Sequence, residues 1–129
     1  MVHTFIDNSK WIPIHTLPGF ECCIEYYVSG DGNVKSTKGG ADKILKPKIN
    51  GRGYRTVNLT QRIGRGKIIS AYVHRLVGLA FLGIPPTPIG RGASNSMLQF
   101  KDGDRLNCCV ENLRWVKVAD KNKSLVISR

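Results

Sequence analysis

Acidic residues are scarce in this chain: nine Asp and Glu stand against twenty Lys and Arg in 129 residues, a formal net charge of +11. So large an imbalance exceeds what solubility asks of a small domain and points to a polyanionic partner. Long apolar runs are missing as well, and the first residues lack the charged-then-apolar order of a signal peptide. These absences predict an intracellular protein with no membrane partner. Histidine is rare, and of three none follows His74. Cysteine occurs only as two adjacent pairs, Cys22-Cys23 and Cys108-Cys109, a spacing that fits neither a zinc finger nor a disulfide framework. Neighbouring side chains on a strand point to opposite faces and rarely grip one ion, so zinc is not expected and the thiols read as reduced and partly buried. A chain this short is one domain's worth, or two small modules sharing a core, without room for large catalytic machinery.

What charge there is lies concentrated. Between Asp31 and Ser70 come Lys35, Lys38, Lys43, Lys46, Lys48, Arg52, Arg55, Arg62, Arg65 and Lys67, opposed only by Asp31 and Asp42, so that +8 of the +11 falls in the middle third. A merely solvated basic face would have the same composition, but the clustering favours a stripe that meets phosphates.

Turn residues divide the chain. Residues 1–36 form a first β unit, in which Glu25 to Ser36 reads as two short strands around Gly30-Asp31-Gly32. Residues 37–72 form a second unit. It opens with a glycine- and lysine-rich stretch to residue 52, which reads as a mobile basic linker or loop. Gly53–Thr60 and Lys67–Tyr72 then read as strands joined by a turn at Gly64-Arg65-Gly66. Alternation puts Arg55, Val57 and Leu59 on one face and the polar set Tyr54, Thr56 and Asn58 on the other. Phosphate contacts are expected at the tip, from Arg62, Arg65 and Lys67, with Arg55, Asn58 and Arg65 reading bases if the hairpin enters a groove.

The third unit, residues 73–129, starts with Val73, Leu76, Val77, Ala80 and Phe81 at helical spacing, which predicts a short amphipathic helix over Val73–Leu82. A Pro- and Gly-rich loop runs from Gly83 to Ser96. Strand (Met97–Phe100), long loop (Lys101–Asn112), strand (Leu113–Lys117) and helix (Ala119–Val126) follow, a ββα order. The fold class is therefore α+β: small β units, a basic hairpin, a short helix and a terminal ββα module.

Leu98 to Trp115 reads L-Q-F-K-D-G-D-R-L-N-C-C-V-E-N-L-R-W. This resembles the ββα-metal motif of the homing-type HNH endonuclease family, D-H-x-D-G-(N/D)-x-x-N-N-x-x-E-N-L-x-W. V-H-R-L-V-x-x-A-F-L at Val73–Leu82 resembles the helix that leads into that motif. W-x-x-I followed by Y-x-V-S-x-x-G-x-V-x-S, within Trp11–Ser36, is similar to a small nuclease-associated motif that precedes such domains and contacts DNA. The three resemblances stand in the family's order and cover nearly the whole chain. They imply a double-stranded DNA partner, a phage or mobile-element origin, and one Mg²⁺ that stabilises charge on the scissile phosphate.

Site roles follow from the resemblance residue by residue. Asn112 takes the position that stitches the long loop together, and Asn107 that of the first asparagine of the N-N pair. Asn122 is the candidate metal ligand on the last helix, one position later than the usual spacing. Phe100 stands where the family has its general-base histidine, and Gln99 where it has a metal-binding carboxylate. Phenylalanine accepts no proton, and a neutral amide is a poor ligand for a hard cation. Losing the base alone typically costs about 10² to 10⁴ in rate. His74 is the remaining candidate base. Asp102 and Asp104 could bind a cation, although Asp102-Gly103-Asp104 more simply makes a turn. The expectation is a DNA-binding protein with cleavage weakened or lost. Two alternatives stay open: a Mg²⁺-dependent nuclease with atypical residues, and an RNA- or protein-binding module in which Tyr26, Tyr27 and Tyr54 stack on unpaired bases. Target site and oligomeric state are not legible.

Overall fold

The molecule is described by a computed structural model over residues 9–63 and 66–120. Strands are short because apolar alternation is repeatedly cut by Gly and Pro. In the first unit β1 (Trp11–Pro13), β2 (Tyr26–Ser29), β3 (Val34–Ser36) and β4 (Lys43–Ile44) make one antiparallel sheet in that order. The β2–β3 turn closes through backbone bonds from Gly32 to Ser29 and from Ser29 to Asn33. A second sheet holds β5 (Lys48–Ile49), β6 (Arg55–Gln61) and β7 (Lys67–Tyr72), also antiparallel. Expected tip residues Gly64 and Arg65 lie outside the described residues.

The stretch 37–52 is not the plain linker that its composition predicts. Its two dipeptide strands give an edge to each sheet: Ile44 faces Lys35 across β3, and Lys48 faces Thr56 across β6. Both isoleucines are exposed, so backbone hydrogen bonding rather than burial holds these edges, and the flanking lysines discourage further strand addition.

Helix α1 (Val73–Val77) runs on through a wider π turn at Gly78–Leu82. The extra residue per turn rotates the apolar stripe. Val73, Leu76 and Val77 are buried as expected, but Gly78 and Leu79 join them while Ala80 and Phe81 are only half-buried. Gly78 lies flat on the next unit: a Cβ there would sit 2.6 Å from a terminal carbon of Leu98. Beyond it, β8 (Ser96–Phe100) and β9 (Leu113–Lys117) pair so that Gln99 faces Arg114 and Phe100 faces Leu113. Val118–Asp120 makes a single 3₁₀ turn, and the rest of the expected final helix lies outside the described residues.

One apolar core serves all three units, with Ile14, Val28, Leu59, Leu76, Val110 and Leu113 fully buried in it. The first unit docks on the long loop of the last: Val110 N–H donates to Gly30 O at 2.8 Å, and the Cys109 thiol donates to Asp31 O at 3.4 Å. All four cysteines are free thiols. Among the described residues no helix is long and apolar enough to cross a membrane.

Candidate functional site

The long loop between β8 and β9 holds its shape through one buried asparagine. Asn112 accepts from Asp102 N–H at 3.0 Å and donates to Asp102 Oδ1 at 2.9 Å and to Asn107 O at 3.0 Å. Asn107 Nδ2 donates to Asp102 Oδ2 at 3.1 Å, and Asp104 N–H to Asp102 Oδ1 at 2.8 Å. Asp102 thus receives donors on both oxygens. Its pKa falls below the ordinary carboxylate value, chiefly through the Asp104 amide and then through Asn107 and Asn112. Asp104 in turn accepts from Leu106 N–H at 3.0 Å. The turn thus engages both oxygens of Asp102 and Oδ1 of Asp104.

At the end of β8, where a proton acceptor would be wanted, the Phe100 ring packs 5.0 Å from His74 and 6.1 Å from Tyr54. His74 is also 5.3 Å from Tyr54 and 5.4 Å from Tyr72. The helix therefore makes His74 a neighbour of Phe100 but wedges it among rings: it is 8 % exposed, with Nδ1 buried and unpartnered. Burial, and then the Arg75 charge, lower its pKa to about 4, so the imidazole is neutral at pH 7. One residue back, Gln99 Oε1 accepts from Arg114 Nε at 2.6 Å. Sequence reasoning did not supply this partner, although a β-ribbon register would place it opposite.

These donors do not suit a hard cation. Gln99 offers a neutral oxygen already bound to a guanidinium, the Asp102 oxygens are taken, and no three His, Cys, Asp or Glu side chains gather among the described residues. Asn122, the expected ligand, lies outside the described residues.

Residues 10–60 match the NUMOD4 motif and residues 71–123 match the HNH endonuclease family. The chain carries a NUMOD4 motif followed by an HNH endonuclease domain. Its fold is similar to that of a solved HNH homing endonuclease, I-HmuI, studied for DNA binding and cleavage, with 30 % identity and a TM-score of 0.68 over 92 % of this chain. This HNH chain spans 59 % of that protein's length. No curated protein matches it.

The basic residues of the HNH protein fall into distinct environments. Lys43, Lys46 and Lys48 are exposed beside Asn58 along a shallow groove of about 280 Å³, and Arg52 and Lys67 are exposed too. Lys35 pairs with Asp42 at 3.3 Å and lies over the Trp11 and Tyr27 rings, Lys38 donates to Thr60, and Arg62 is paired with Glu25. Arg55 shares the Val57 and Leu59 face, as alternation requires. Val57 and Leu59 are buried on that face, and Arg55 is half-buried there with its Nε buried without a partner. Arg65 lies outside the described residues.

A second basic set is not visible in the sequence. Arg52, Arg75 and Arg91 line a cleft of about 370 Å³ with Tyr54, Tyr72 and His74. The Arg75 guanidinium lies 5.2 Å over the Tyr72 ring. Arg105 stands 4.9 Å over Tyr54 while donating to Arg52 O at 2.6 Å. Arg75 and Arg91 stand apart from the basic stretch in the chain, and only the fold assembles this cluster in space.

Proposed function

We propose that this chain binds double-stranded DNA on a homing-type HNH scaffold and that its cleavage is weakened or lost. The observation that carries the reading is Phe100, set in the general-base position and packed against Tyr54 and against a His74 whose ring is buried among aromatic side chains. Gln99, held by Arg114, supports the same reading for the metal. The resemblance to a homing endonuclease that binds and cleaves DNA supports duplex DNA as the partner, and the net charge of +11 supports binding through phosphates. The exposed lysines would set affinity, while Asn58, exposed on the polar face of β6, is a candidate for a base contact.

Supercoiled plasmid tests this directly. With Mg²⁺, Mn²⁺ or EDTA the native protein retards plasmid equally and leaves it supercoiled, whereas a Phe100→His, Gln99→Asp variant gains metal-dependent nicking. Metal-dependent nicking by the native protein would overturn the reading.

A further inference from the structure

The cleft beside the aromatic cluster draws its cations from three separate elements: Arg52 from the turn before β6, Arg75 from the helix and Arg91 from the loop before β8. No acidic residue lines it, and neither ion pair among the described residues uses any of the three arginines. Guanidinium groups crowded on one cavity repel one another, and a bound anion relieves that repulsion; phosphate oxygens match their planar donor pattern best. At about 370 Å³ the cleft is roomier than one phosphate needs and lies within the range of small-molecule pockets. Its other wall is aromatic. The Arg75 guanidinium rests on the Tyr72 ring, a place that a base takes when the guanidinium turns to its phosphate, and the ring nitrogen of the nine-tenths buried His74 has no partner.

Rings beside arginines are the surface on which a nucleobase stacks while its phosphate is neutralised. Within a paired duplex both faces of each base are already stacked, so only a nucleotide outside the helix can enter such a recess. We infer that the cleft holds one unpaired nucleotide of a DNA strand, its base against Tyr72 and its phosphate on Arg75 and Arg91. The inference rests on the proposed DNA binding and names the form of DNA that is preferred: a duplex with an extrahelical nucleotide.

Fluorescence anisotropy with three short duplexes provides the test, one fully paired, one with a single-nucleotide bulge, and one whose bulge keeps its phosphate but lacks the base. The bulged duplex binds about tenfold tighter than the paired one, and removing the bulged base loses most of that gain. Arg91→Ala, at an exposed loop position and checked for folding by circular dichroism, weakens both bulged duplexes more than the paired one. Tyr72→Leu, checked for folding by circular dichroism, erases the difference between bulges with and without a base. Equal binding of paired and bulged DNA by the native protein, or a full preference retained in both variants, overturns the inference and leaves duplex binding standing. Failure to bind any duplex instead removes the reading on which it rests.

Discussion

His74 shows how one buried side chain can set an acid limit on the whole protein. Its pKa is lowered from 6.5 to about 4, so the unfolded chain binds a proton that the native chain refuses between those values. The stability associated with the neutral ring is complete above pH 6.5, declines as pH falls from there, and is gone below about 4. At 1.36 kcal/mol per pH unit the full loss is about 3 kcal/mol. Denaturant titrations from pH 7 to 4.5 show this decline in the native protein, and His74→Phe, which keeps a ring among Tyr54, Tyr72 and Phe100, flattens it. Asn112 predicts a different signature. Asn112→Ala strands the Asp102 amide and removes three hydrogen bonds from a buried group, a loss of about 2 to 4 kcal/mol in urea unfolding at neutral pH. Its stitching role is one that the family resemblance implies, and the partners it has in the structure, Asp102 and Asn107, lie within ten residues of it. The ring cluster around Phe100 was not legible in the sequence, because Tyr54 and His74 reach it only through the fold of two other units. Arg55 lies on the face that alternation gives it, the apolar one on which Val57 and Leu59 are buried.

At the scale of elements, the joint between the NUMOD4 unit and the HNH loop is a close approach of backbones. Gly32, with φ of +87°, closes the β2–β3 turn where a Cβ would stand 3.2 Å from the carbonyl carbon and oxygen of Cys108. Gly32→Ala therefore meets two penalties, a left-handed backbone that costs a side-chain-bearing residue about 1 to 2 kcal/mol and a clash with backbone that cannot swing aside. The expected loss is about 2 kcal/mol, visible as a lower denaturation midpoint with an unchanged slope, since the same surface is exposed on unfolding. The Gly-Asp-Gly turn itself was readable from local chemistry, whereas its docking on the loop joins residues more than seventy positions apart. The two edge strands at 43–44 and 48–49 were hidden for another reason. Two-residue strands with exposed side chains leave no alternation to detect, and only the neighbouring strands reveal them. The helix has the length that its sequence predicts, and its buried face is shifted because apolar spacing at 3.6 residues does not foresee a π turn.

For the whole molecule, the proposed DNA binding draws on a net charge of +11, which does not say which cations meet phosphates. Internal pairing sorts them. Lys35 already faces Asp42 and two aromatic rings, and Arg62 already faces Glu25, so neutralising either removes little that DNA could use. Lys43, Lys46 and Lys48 stand exposed along the groove beside Asn58, outside both ion pairs. Every phosphate left without its cation flattens the dependence of log K on log salt by about 0.9, so changing these three lysines together to Gln reduces the slope by about 2.7. Lys35→Gln or Arg62→Gln changes it by less than one. Affinities measured by anisotropy across a salt series distinguish the two sets. Because neither set touches Gln99 or the Asp102 turn, EDTA leaves every slope unchanged. A slope that responds to EDTA would place a metal ion at the DNA interface and would count against binding through side-chain cations alone.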